Sequence, residues 1–326
     1  MNVIVLATYN GARYLPELLA SIRRQTFTAW RLLVRDDGST DGTRALLEQA
    51  AVDDARIQVL ADDGARLGPA GNFGRLLQRA FDDGATTVSC ADQDDVWLPQ
   101  KLERQQAELR RLADLHGAAT PLLVHSDLTV VDGELRILHR SFAQFARVHR
   151  DVDDPLGALL VANCVTGCTL MVNRALLGLA LPMPAEARMH DWWLALCAAA
   201  LGRIGYLPDS TVLYRQHGEN AVGAIGLWSR FNPLDGGFGS RWRRGLDDLR
   251  KTTRQMQAFR DRLLAVTGDP RHHDVRRLSD YCQAFESPTS SLGRWRQLRQ
   301  VGYARAGILR QALLAARLWS LRRRAA

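Results

Sequence analysis

Thr86-Thr87-Val88-Ser89-Cys90-Ala91, followed at once by Asp92-Gln93-Asp94-Asp95-Val96-Trp97, is the stretch whose reading decides the fold. Its first six residues are uncharged and open on two β-branched threonines, as suits a buried strand. Pro99, Lys101 and Leu102 then open a long helical pattern. Three carboxylates therefore stand at a strand's carboxyl end. In an open α/β sheet that end borders the crevice where ligands bind. Like charges this close repel one another unless a cation lies between them, and hard divalent ions prefer oxygen ligands. Two readings follow. Either the acids hold a cation that holds phosphates, or they form a solvated turn that caps the helix beginning at Pro99.

Outward from that stretch the same alternation repeats. Residues 2–8 are an apolar run of strand length, Tyr9-Asn10-Gly11 is a turn, and Leu15, Leu18, Leu19 and Ile22 mark the apolar stripe of a helix over 14–25. Residues 30–35 form a second strand, which ends at Asp36-Asp37-Gly38-Ser39-Thr40-Asp41-Gly42-Thr43 before another helix. A strand over 56–61 and a helix over 70–81 lead back to the quoted segment. Four such alternations imply an α/β fold, with a mostly parallel sheet, right-handed crossovers and helices on both faces. Farther on, 122–131 and 135–139 flank Asp132-Gly133 as a hairpin, 156–162 is helical and 169–173 is a strand. Residues 191–201 form a helix apolar on all sides, hence buried, and 205–207 and 211–214 are strand pieces. The pattern after Leu227 is helical, so the expected division is one domain over 1–226 and a basic helical region over 227–326.

The net charge of +8 is unevenly placed: residues 227–326 carry 21 Lys and Arg against 8 Asp and Glu, whereas 1–226 carry 22 against 27. A neutral-to-acidic body with an Arg-rich tail suits a domain held near something anionic. The hydrophobic fraction of 46% is that of a globular chain. No window approaches the roughly 20 apolar residues of a spanning helix, and the start of the chain lacks the basic and apolar blocks of a secretory signal. Cys90, Cys164, Cys168, Cys197 and Cys282 are an odd number without zinc spacing, and read as small core residues in a reducing cytoplasm.

Three further groups carry chemistry. Asp36 and Asp37 end a strand, where a carboxylate either accepts hydrogen bonds from a nucleobase and a ribose or caps the next helix; Thr8, Tyr9 and Asn10 line the same crevice or form an ordinary Asn-Gly turn. Asp191, after His190 and before Trp192-Trp193, opens the apolar helix either as its cap or as a partly desolvated general base. Arg215 and His217 share a strand end, where a guanidinium neutralises a diphosphate and an imidazole joins a metal's coordination sphere.

In this order, Thr8-Tyr9-Asn10-Gly11, Asp36-Asp37-Gly38-Ser39-Thr40-Asp41, Asp92-Gln93-Asp94-Asp95-Val96-Trp97, His190-Asp191-Trp192-Trp193 and Tyr214-Arg215-Gln216-His217-Gly218-Glu219-Asn220 resemble the signature of glycosyltransferase family 2 over residues 1 to about 225. The resemblance implies a GT-A fold, a nucleotide-diphosphate sugar donor, a divalent cation (Mn²⁺ or Mg²⁺) and inversion at the anomeric carbon. It assigns Asp37 or Asp36 to the base, Asp92 to the ribose, Arg215 to the diphosphate and Asp191 to the general base. Asp94 becomes the main metal ligand, with Asp92 and His217 beside it. Thr8, Tyr9 and Asn10 complete the donor side; Asp95, Trp97, His190 and Trp192 fall on the acceptor side. Many members carry Glu-Asp where this chain has His190-Asp191.

Overall similarity to rhamnosyltransferase-like members makes transfer from dTDP-rhamnose to a glycan or lipid-linked acceptor, in surface polysaccharide assembly, the leading expectation. UDP-hexose or UDP-N-acetylhexosamine is the alternative donor, and a non-catalytic membrane-surface adaptor is the alternative of another class. A nucleotidyltransferase needs a glycine-rich basic loop after the first strand, which Thr8-Tyr9-Asn10-Gly11 does not offer. Trp295, Leu298, Val301, Ile308, Leu309, Leu313 and Trp319 recur at helical spacing among arginines. Such a helix suits the anionic inner face of the cytoplasmic membrane, or packing on the catalytic domain; a nucleic-acid partner ranks last.

Overall fold

The computed structural model describes residues 1–61, 64–146, 153–217, 238–286 and 291–303. Glu219, Asn220 and the tail beyond 303 lie outside them. The chain divides into two compact units: Met1–Val148, Val165–Ala185 and Met189–Trp228 form the first, and His149–Cys164, Glu186–Arg188 and Ser229–Ala326 the second. A division in simple chain order, at 226/227, does not foresee that two short internal segments belong with the second unit.

The first unit is built on a nine-stranded sheet. Its strands are β1 (Asn2–Thr8), β2 (Trp30–Asp36), β3 (Ile57–Val59), β4 (Thr87–Asp92), β5 (Val96–Trp97), β6 (Leu122–Val131), β7 (Ile137–His139), β8 (Leu170–Asn173) and β9 (Arg203–Arg215). Around them lie helices α1 (Leu15–Arg23), α2 (Thr43–Asp53), α3 (Gly68–Asp82), α4 (Lys101–His116), α5 (Phe142–Phe145), α7 (Arg174–Ala180) and α8 (His190–Leu201). The order β3-β2-β1-β4-β8-β6-β9-β5, with β7 on β6, is parallel through β3, β2, β1 and β4. β8 runs antiparallel to both its neighbours, and β5 antiparallel to β9. This is the expected α/β sheet with an antiparallel insertion.

The parallel half follows directly from its apolar runs. Ile4, Val5 and Leu6 are wholly buried because helices cover both faces, and the α1 stripe of Leu15, Leu18, Leu19 and Ile22 is at most 5% exposed. Burying each such side chain contributes about 1.5–3 kcal/mol. The hairpin at Asp132-Gly133 forms as β6–β7. The two strand pieces over 205–214 are instead one 13-residue strand. The pairing passes from Ser126↔Leu207 to Asp127↔Ser210, so Pro208 and Asp209 stand out of register. Such a bulge removes the ladder bond that a proline cannot make.

In the second unit, α6 (Pro155–Val161), α9 (Phe238–Thr267), α10 (His273–Glu286) and α11 (Ser291–Gln300) are the described helices. Arg277 on α10 grips both oxygens of Asp154, the N-cap of α6, and donates to the Val301 carbonyl at 2.7 Å. No helix among the described residues is long and apolar enough to cross a membrane. None of the five cysteines is in a disulfide.

Candidate active site

The register of β1 brings Thr8 beside Asp36 and Ala7 beside Asp92, so the carboxyl ends of β2, β1 and β4 border one crevice. At its β2 side, Thr8 is buried and donates to Asp36 Oδ1 at 2.9 Å, while the Ser39 amide donates to Oδ2 at 2.8 Å. Asn10 adopts φ 49° and accepts from the Thr40 amide, a turn role. Gly38, at φ 82°, makes the bend after Asp37; Gly42, at φ −75°, needs no special freedom. Tyr9 is 41% exposed.

Asp37 is enclosed by protein groups. It is 6% exposed, lies 2.8 Å from the Arg35 guanidinium, and accepts from the Leu67 and Gly68 amides. Burial pushes its pKa up, but the bonds from Leu67, Arg35 and Gly68 outweigh it and hold the carboxyl below the usual range. Of the pair, Asp36 alone keeps a partly open carboxylate.

The acids at the end of β4 divide by burial. They do not cap α4, whose N-cap position is Gln100, without a side-chain cap. Burial raises the Asp92 pKa to about 7, with the charges of Asp94 and Asp191 adding to the shift. These terms bring Asp191, from the far end of the sequence, into the electrostatic field of the acid loop. Asp95 is fully buried and its pKa lies far above the usual range, first through burial and then through Asp94 and Asp92. Its Oδ1 accepts from the Arg215 amide, and its Oδ2 has no hydrogen-bond partner. Potential ligand atoms of Asp92, Asp95 and Cys168 lie within 4.8 Å of one another. Behind them Lys101 is wholly buried, its ammonium 4.7 Å from the Trp97 ring centre, with its pKa lowered by burial to about 8.

Gln93, between the acids, is a contact that sequence reasoning missed. Its carboxamide pairs with the Tyr9 backbone in both directions, Tyr9 N donating to Oε1 and Nε2 donating to Tyr9 O, each at 2.9 Å. The acid loop is thereby fixed to the β1 turn. No periodicity signals it, because the bond depends on the sheet bringing the two strand ends together.

Arg215 departs from its expected role. It is 1% exposed, its Nε donates to the Asp94 carbonyl, its Nη1 to the Gly133 carbonyl, and its Nη2 to Glu17 at 2.7 Å, over the Tyr14 ring. A guanidinium so committed positions the acid loop. The Nε2 of His217 lies 2.9 Å from Asp94 Oδ2, and its ring lies against Tyr14.

The residues expected on the acceptor side are interior. Asp95 is 0%, His190 1%, Trp97 2% and Trp192 9% exposed. The reason is the apolar α8, buried on every side through its first two turns. His190 stacks on Phe73 at 3.8 Å, both of its ring nitrogens lack hydrogen-bond partners, and burial lowers its pKa to about 3. Asp191 is not the cap of α8, since Met189 holds that position; it accepts from its own neighbour Trp192 N at 2.6 Å.

Carboxylate and imidazole are ligands for a hard or borderline divalent ion. Asp94 and His217 converge, and Asp92 beside them offers a further carboxylate whose ligand atom lies within 4.8 Å of those of Asp95 and Cys168. The residues fit such a cation.

Strand-end acids on a parallel sheet with this antiparallel insertion define a GT-A nucleotide-sugar fold. Residues 3–145 match the family described as glycosyl transferase family 2, which bears out the family resemblance. It is 26% identical over 177 residues to the Escherichia coli UDP-Glc:alpha-D-GlcNAc-diphosphoundecaprenol beta-1,3-glucosyltransferase WfgD, over 53% of this chain and 60% of that enzyme. The match therefore spans less than two thirds of the length of that relative. To the Shigella flexneri dTDP-rhamnosyl transferase RfbG it is 25% identical over 228 residues, 67% of this chain and 74% of that one. Among solved structures, S. aureus TarS residues 1–349 with UDP superposes with a TM-score of 0.54 at 16% identity, covering 99% of this chain and 90% of that one. At that identity the likeness concerns the fold.

Proposed function

We propose that the chain is an inverting, cation-dependent glycosyltransferase that moves a sugar from a nucleotide-diphosphate donor to a glycan or lipid-linked acceptor in surface polysaccharide assembly. The observation that carries this reading is the meeting of Asp94, Asp92, His217 and Asp191, drawn from three separate sequence motifs, at one crevice. Asp94, Asp92 and His217 would hold the divalent ion, which when bound supplies positive charge to a leaving diphosphate. Asp36 receives the ribose or base, with Thr8 and Ser39 fixing its carboxylate. Asp191 takes the proton of the acceptor hydroxyl as that oxygen attacks the anomeric carbon. Direct displacement of the diphosphate then inverts the centre.

dTDP-rhamnose is the first donor to try, on the likeness to RfbG, and UDP-glucose the second, on the likeness to WfgD. A lipid diphosphate acceptor follows the second name. The test is release of nucleotide from a panel of dTDP-, UDP- and GDP-sugars with Mn²⁺, with a lipid-linked acceptor present and absent. Release from one donor, lost with EDTA, supports the reading. No release, and no Mn²⁺-dependent thermal stabilisation by any nucleotide, would favour the non-catalytic adaptor.

A further inference from the structure

We infer that Arg188 is a positioning residue for Asp191: held at its backbone and its guanidinium by one stripe of α9, it fixes the first turn of α8 and, with it, the aspartate that takes the acceptor's proton. This rests on the reading of Asp191 as the general base, and adds to it a residue that lies outside every motif quoted above.

Arg188 ends a three-residue segment, Glu186–Arg188, that belongs with the second unit. Its guanidinium donates to Asp248 Oδ1 and to Thr252 Oγ1, each at 2.8 Å, and its backbone amide donates to Gln255 Oε1 at 2.7 Å. Asp248, Thr252 and Gln255 follow at i, i+4 and i+7, so they form one stripe of α9. Thr252 and Gln255 are buried, as are Leu249, Met256 and Phe259 on the same helix, and buried polar groups cost free energy unless they are paired. All three members of the stripe meet the same residue. Thr252 spends its own proton on the Asp248 carbonyl, which leaves its lone pairs to the guanidinium. Gln255 is wholly buried, and among the described residues its Nε2 has no hydrogen-bond partner. The fold bears that cost while Oε1 holds the Arg188 amide.

The helix that follows has no side-chain cap of its own. Met189, the N-cap of α8, makes no side-chain cap bond, although its carbonyl accepts from the Trp193 amide at 3.2 Å. The amides of a first turn are the ones an N-cap side chain would tie down, and Asp191 sits in that turn. One residue before Met189, three bonds anchor Arg188, so the point at which α8 begins is set from α9. A general base must reach the hydroxyl proton at hydrogen-bond distance, and a displacement of about 1 Å can cost about 100-fold in rate. Arg188 thus acts through where Asp191 stands.

The experiment measures turnover of the full chain with the donor selected from the dTDP-, UDP- and GDP-sugar panel, and calorimetric affinity for the matching nucleotide diphosphate with Mn²⁺. Arg188→Ala should lower kcat about tenfold or more and leave nucleotide affinity at wild type. Arg188→Lys keeps the charge without the fork and should recover part of the loss. Gln255→Met, close in size but lacking the acceptor, should lower kcat in the same sense, and stands in if Arg188→Ala does not fold. The deciding comparison is Arg188→Ala, or Gln255→Met in its place, in an Asp191→Asn background: a residue that acts through Asp191 should cost little there. The same fold loss in both backgrounds would make the contact structural only and overturn the proposal. So would wild-type kcat in the single variants, or a parallel loss of nucleotide affinity. Wild-type transfer by Asp191→Asn alone would instead defeat the base reading, and is recognised without any Arg188 variant.

Discussion

Asp36-Asp37 and Asp92-Gln93-Asp94-Asp95 end neighbouring parallel strands, yet their electrostatics are opposite. At the end of β2 the chain satisfies its own acids: Arg35 and two amides of the α3 entry hold Asp37 below the usual carboxylate range. At the end of β4 the acids face one another, and burial with mutual repulsion lifts Asp92 to about 7. Asp37 is satisfied by the protein's own groups, while Asp36 keeps a partly open carboxylate. In the second group the cationic neighbours among the described residues include Lys101, buried in the core, and the His217 ring beside Asp94. A strand-end aspartate is thus functional or structural according to what the next loop offers it.

The comparison breaks most severely at Asp191, the acid that reaches the second group from α8. Asp191→Asn should reduce sugar transfer about 10²- to 10⁴-fold while nucleotide affinity, by titration with Mn²⁺, stays at wild type; lost nucleotide affinity would place Asp191 on the donor instead. Asp94→Ala should abolish the Mn²⁺-dependent rise in melting temperature and weaken cation affinity by about 100-fold or more. Asp37→Ala should do the reverse. It should cost about 3–5 kcal/mol in urea unfolding by stranding buried Arg35, with the cation response retained in whatever folds.

The smallest effect is in pH. Asp92 has a folded pKa of about 7 against an ordinary value of 3.8, so in EDTA the folded state keeps a proton that the unfolded state has released. Stability from this group is present at low pH and declines between about pH 4 and pH 7, by at most about 1.4 kcal/mol per pH unit. His190, lowered to about 3 by burial, gives the opposite slope below pH 6.5. The difference between wild type and Asp92→Asn therefore isolates the first slope, and Asp37, with its lowered pKa, should add stability that is lost only as pH falls through the acid range. A difference that is flat from pH 4 to 7 would remove the repulsion from the account.

The parallel half of the sheet was legible because its signals are local. Residues 86–91 differ from β4 by one position at each end, and the α1 stripe is the one observed. β9 was read as two pieces because Pro208 looks like a break, and only pairing with β6 shows that a bulge accommodates it. The site was legible in residue type more than in role. Arg215 is the residue type that meets diphosphates, but its burial depends on Gly133, Glu17 and Tyr14, each distant in sequence. Trp97 and Trp192, placed on the acceptor side by the family resemblance, are core in the fold.

The bond between Gln93 and the Tyr9 backbone also constrains which sequences can share this site. A side chain begun at Gly11 would lie 2.4 Å from Gln93 Oε1. Positions 11 and 93 are therefore mutually dependent, although 82 residues apart. Among descendants of this chain, a larger residue at the first should coincide with a shorter one at the second, and a chimera exchanging one without the other should misplace its acid loop.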